Sequence, residues 1–142
     1  MDFSDGCIKL AESSWKLNIG YPLVFTYRYG ELEDVDLPDE VKDSEGLERF
    51  IRKLAEDDTF DAIAIISEVW FDIVTFGKPL KLSVKHPGAK DGLAITLIGR
   101  ERSYVALAQV VNGEIGPFSH WRILSGGRFS GIRIGRKLEK AV

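Results

Sequence analysis

The chain has 142 residues, 44% of them hydrophobic and 29% charged, a size and composition that suit one domain with its own core and exclude extended disorder. Its longest run free of polar side chains, residues 62–66, is far shorter than the roughly 18–20 apolar residues needed to span a bilayer. The acidic start, Met1-Asp2-Phe3-Ser4-Asp5, lacks the basic region of a signal peptide, so a cytoplasmic protein with no membrane partner is expected. The single cysteine, Cys7, excludes an internal disulfide and a cysteine-rich metal site. Asn18, Asn112 and Gln109 are the only side-chain amides, a scarcity found in thermophilic proteins. Residues 1–72 hold 18 acidic and 7 basic side chains, net −11, and residues 73–142 hold 4 and 12, net +8. Such a split either presents a basic surface to an anionic partner or lets the two halves neutralise each other. Mutual neutralisation is the commoner outcome.

In chain order, the first expected element is a helix over about residues 4–19, capped by Ser4 or Asp5. Ile8, Ala11 and Trp15 form its apolar stripe, and Gly20 with Pro22 closes it. Residues 23–29, Leu-Val-Phe-Thr-Tyr-Arg-Tyr, read as a strand ended by Gly30. Alternation puts Phe25, Tyr27 and Tyr29 on one face, so with Tyr21 they are expected to pack against a helix rather than line a pocket. The acidic stretch 31–43 reads as a loop or short irregular strand. Leu47, Phe50, Ile51, Leu54 and Ala55 then mark a second helix, with Asp43 or Ser44 as cap, a Glu48–Arg52 pair and a stop near Asp57 and Asp58.

Residues 60–74 read as a long strand, because four isoleucines and two valines outweigh a competing helical spacing. Ile63, Ile65, Val69, Phe71 and Ile73 share one face with Ser67. Ala62, Ala64, Ile66 and Trp70 share the other with Glu68 and Asp72. A strand apolar on both faces at its start belongs in the middle of a sheet. Shorter strands follow over residues 80–84, 93–98 and 104–111, with a turn over 86–92 and a hairpin at Asn112-Gly113. A further strand over 118–124 is held to an edge by Pro117. The order is α, β, α and then antiparallel strands. That predicts an α+β domain over residues 1–142, with two helices on one face of a mainly antiparallel sheet of about five strands. Residues 125–142 read as a basic tail, for which flexibility is one expectation.

Chemistry is concentrated in few places. Glu68 is a carboxylate in the most apolar strand, where burial would raise its pKa and suit it to acid–base work. The plainer expectation puts it at the rim of the core, paired with an Arg or Lys such as Arg100, Arg102 or Arg122. His86 and His120 are the only histidines. With Glu68 and Asp72 they have no metal-ligand spacing, so no metal and no cofactor are expected. Glu68, His86 and His120 remain the weak catalytic candidates. Cys7 reads as a small core residue. The segment with Arg128, Phe129, Arg133, Arg136 and Lys137 fails both phosphate-loop patterns, but interleaved cations and an aromatic can hold a nucleic-acid backbone and stack a base.

The run Ala62 to Trp70, ending Ser67-Glu68-Val69-Trp70, then His86-Pro87, then the strand Leu93 to Arg102, resembles a group of small uncharacterised prokaryotic proteins. In these a hydrophobic strand ends in Ser-Glu-small-Trp. The resemblance implies an α+β domain and no established activity. The reading followed is a non-catalytic binding or protein-interaction module that is able to form a homo-oligomer. The alternatives are a nucleic-acid-associated protein using the basic C-terminal half and an enzyme centred on Glu68 and His86.

Overall fold

The computed structural model describes residues 3–57, 59–71, 82–83, 88–99, 102–123 and 132–133. Helix α1 (Phe3–Lys16) ends earlier than its apolar stripe predicts. Asn18 takes the left-handed conformation at φ 56°, Asn18 N–H donates to the Trp15 carbonyl, and Ile19 N–H donates to Ser14 at 3.0 Å. This double closure is a Schellman cap, so Asn18 stops the helix and not Gly20. Strands β1 (Leu23–Arg28) and β2 (Glu31–Val35) form a hairpin in register from Val24↔Val35 to Arg28↔Glu31. The acidic stretch thus begins as a regular strand. Its Leu32 and Val35 are half-buried while its acids face water, an alternation too short to outweigh the charge when read alone.

Helix α2 (Ser44–Leu54) is capped by Asp43, whose side chain accepts from Gly46 N–H at 2.7 Å. Arg52 donates to Glu48 at 2.8 Å. Leu47 and Ile51 are buried and Phe50 and Leu54 half-buried, while Ala55 becomes the exposed C-cap. Strand β3 (Ala62–Phe71) is flanked by β1 on one side and by β5 (Lys90–Gly99) along its whole length on the other. Strand β6 (Ser103–Val111) follows β5, and the Asn112-Gly113 turn, at φ 54° and 78°, leads into β7 (Glu114–Ile115). The continuous path is β2-β1-β3-β5-β6-β7. Three two-residue strands adjoin it: β4 (Leu82–Ser83) and β9 (Ile132–Arg133) on β3, and β8 (Arg122–Ile123) on β6. The described residues therefore form nine strands rather than about five, because short segments downstream pair onto the ends of β3 and β6.

The helices do not share a face. Ile63, Ile65, Val69 and Phe71 of β3 pack with Leu47 and Ile51 of α2. Ala64 and Ile66 pack with Cys7 and Ala11 of α1. With a side-chain period of two, these are opposite faces of one strand. The expectation of both helices on one face is corrected accordingly: β3 is apolar on both faces because each carries a helix. Each fully buried Leu or Ile contributes about 1.5–3 kcal/mol, so the core is divided between two layers. On the α2 face Gly92 lets the layer close, since a Cβ there would meet Leu107 and Phe71 side-chain carbons at 3.0 Å.

Candidate functional site

Glu68 is not at the rim. It is 4% exposed, on the α1 side of β3, and its negative charge acts on Tyr21. Tyr21, 1% exposed, is carried under α1 by the chain reversal between α1 and β1. Ser14 Oγ donates to the Ala11 carbonyl at 2.8 Å. Ser14 Oγ also lies 2.6 Å from the Tyr21 hydroxyl, in hydrogen-bond contact with it. Burial pushes the Tyr21 phenol above its ordinary pKa of 10.0. The Ser14 hydrogen bond opposes this, and Glu68 adds to the rise. Burial alone pushes the Cys7 thiol, also on this face, to about 12. At neutral pH the layer under α1 thus holds an intact phenol and an intact thiol beside a sealed carboxylate, with no open thiolate nucleophile. Sequence reasoning missed Ser14 and Tyr21. The one seemed an ordinary helix residue and the other an ordinary core aromatic.

The expected catalytic candidates are not brought together where they can be placed. His120 is exposed in the segment beyond β7, and β5 and β6 separate β3 from that segment. His86 and Asp72 lie outside the described residues, as do Arg128, Phe129, Arg136, Lys137, Arg100 and most of the basic tail. Arg133 is in β9, and the register sets it opposite Glu68. Among the described residues no group of three or more His, Cys, Asp or Glu side chains converges as a metal site. No helix among them is long and apolar enough to cross a membrane.

Two further features are not legible in the sequence. A cleft of about 350 Å³ lies where α2 ends, floored by Ile63 and Ile98 and edged by Asp57 and Asp61. It is at the opposite end of β3 from Glu68. Its wall is braced by Arg28, which donates to Asp57 at 3.4 Å and to Thr59 at 2.9 Å and lies 4.8 Å over the Phe60 ring. The Thr59 hydroxyl and N–H, together with Arg28, hold the Asp57 carboxyl below its ordinary range. Asp57 is therefore an ionised brace and not a proton donor at neutral pH.

The second feature is the difference between the two sheet edges. At one edge β6 is covered by the chain that follows it. β7 and β8 pair with its ends, Gly116 N–H donates to Gln109 at 2.9 Å, and Ser119 N–H donates to the Leu107 carbonyl at 2.9 Å. The Ser119 hydroxyl accepts from Leu107 N–H at 3.0 Å, standing in for a main-chain carbonyl. At the other edge β2 ends the path with no strand beyond it among the described residues. Tyr29, expected on a packed strand face, is instead 79% exposed. It is the first turn residue, at φ 53°, and so is turned off the strand.

The fold and these features define an α+β domain in which an open antiparallel sheet lies between two helices, with the β6 edge covered and the β2 edge bare of any further strand among the described residues. No protein-family model, curated protein or solved structure matches the chain.

Proposed function

We propose that this chain is a non-catalytic protein-interaction domain that receives an extended segment of a partner polypeptide along β2. One observation carries the reading: the chain spends residues 114–123 on covering its β6 edge and leaves β2 uncovered among the described residues. A free edge is a ready template for an added strand, and such pairing is an established mode of peptide recognition. The two-residue turn makes Arg28 and Glu31 the closing hydrogen-bonded pair of the hairpin. Alternation then turns the N–H and C=O groups of Leu32 and Asp34 outward.

The test is a selection of random peptides against the immobilised protein, followed by amide hydrogen exchange of the complex. Protection gained at Leu32 and Asp34 is expected. Asp34→Pro removes one outward N–H that the hairpin does not use, at an edge position where proline is tolerated. It should abolish binding of every selected peptide and leave the far-UV circular dichroism unchanged. Peptides whose protection maps elsewhere, or that still bind Asp34→Pro, would refute the reading.

A further inference from the structure

The chemistry of the β2 edge selects among strands that could pair with it. Residues 31–45 hold eight carboxylates and a single lysine, Lys42. On β2 the side chains divide by face. Leu32 lies over α1, within reach of Gly6, and Asp34 shares that face by alternation. Val35 packs toward the α2 core, with Glu31 and Glu33 on its side. Arg28 answers part of this charge, at 3.9 Å from Glu33 and 3.4 Å from Asp57, but it is shared between the two. An added strand would therefore meet acid, apolar, acid, acid and apolar neighbours in succession from residue 31 to residue 35. A second copy pairing through the same edge would set these carboxylates against each other, which is destabilising for directly opposed like charges.

Tyr29 is an independent observation at the same edge. The chain makes two turns of nearly identical geometry: Tyr29-Gly30 at φ 53° and 76°, and Asn112-Gly113 at φ 54° and 78°. Asn-Gly is the ordinary choice for this geometry, whereas a tyrosine in the left-handed region is strained. The ring gains no burial in return, being 79% exposed. It stands at the head of β2, already 5.9 Å from the Arg28 guanidinium. A large exposed aromatic beside carboxylates is suited to a cationic side chain, which it attracts through its π face.

We propose that the open β2 edge binds an extended Lys/Arg-rich polypeptide segment, with basic residues opposite Glu31, Glu33 and Asp34, apolar residues opposite Leu32 and Val35, and Tyr29 contacting one of the cations. The inference rests on the edge-pairing reading above and adds the chemistry of the partner.

The experiment uses the full chain and three short synthetic peptides that share the basic–apolar–basic–basic–apolar spacing. One carries lysine at the basic positions, one glutamine and one glutamate. Binding is followed by fluorescence anisotropy. The lysine peptide should bind at least about tenfold more tightly than the glutamine peptide at about 50 mM salt, and the margin should shrink as salt rises. The double substitution Glu33→Lys and Asp34→Lys should reverse the preference toward the glutamate peptide. Tyr29→Asn should weaken the lysine peptide by about threefold while thermal stability is kept or raised, since asparagine suits this turn. A fold-preserving variant thus carries the decision even if charge reversal disturbs the hairpin. Equal binding of the glutamine and lysine peptides, with Leu32 and Asp34 protected, would overturn the charge inference and leave the edge reading intact. Absence of protection with all three peptides, or self-association through β2 in their place, would overturn both.

Discussion

The buried thiol gives the most direct test of the layer under α1. Cys7 is 0% exposed, and burial pushes its pKa from 9.0 to about 12. Because the folded value is the higher one, the thiol stabilises the fold fully below pH 9 and progressively less as pH rises toward 12. The unfolded chain releases the proton first, so unfolding becomes easier. With these two values the linkage relation gives a loss on the order of 1 kcal/mol between pH 7 and pH 10, nearly all of it above pH 8. Other groups, Tyr21 among them, also titrate in the alkaline range, but they are common to the parent and to Cys7→Ala. The difference between the two stability curves isolates the thiol. Urea unfolding under reducing conditions, followed by circular dichroism in steps from pH 7 to 10, measures it. Cys7→Ala should be the less stable at pH 7, and its deficit should shrink by on the order of 1 kcal/mol by pH 10. Parallel curves would show that Cys7 is not sealed beneath α1 and that the α1 layer is misplaced.

On the opposite face, Leu47→Ala should cost about 3–4 kcal/mol and Phe50→Ala only about 2, because Leu47 is fully buried and Phe50 half-buried. A reversed order in urea unfolding would put the wrong stripe of α2 against the sheet. Glu68→Gln should destabilise at pH 7. Urea unfolding measures the loss, and a Glu68→Gln variant as stable as the parent would contradict a paired, buried carboxylate. Deleting residues 126–142 removes β9 from β3, so it should lower the thermal midpoint. Loss of oligonucleotide binding at about 50 mM salt with no change in the midpoint would instead support the basic half as a nucleic-acid surface.

Much of this molecule can be read without coordinates. The α2 stripe and its Asp43 cap, β3 with its two apolar faces, and the Asn112-Gly113 turn are all local. Helical spacing, a capping side chain, β-branched alternation and a turn dipeptide each report the conformation of their own few residues. The α+β class follows from the order of such elements.

What local patterns do not encode is which side of the sheet a helix covers. The two apolar faces of β3 required a layer on each side, yet the bare order of elements favoured one shared face, and only the packing of Cys7 against one side and Leu47 against the other decides it. The same limit explains Glu68. A lone carboxylate in an apolar strand reads as a rim residue because burying it alone is costly. The structure buries it on the α1 side of β3, close enough for its charge to act on Tyr21, which is distant in sequence. Strand alternation alone places Tyr29 on a packed face. The turn that exposes it is set by the pairing of β1 with β2, and the strand status of β2 depends on that partner more than on its own acidic residues. Sequence thus determined the two helices and the long central strands, whose causes lie within a few residues of each other. Tertiary structure decided faces, burial and edges, because these depend on contacts between segments far apart in the chain.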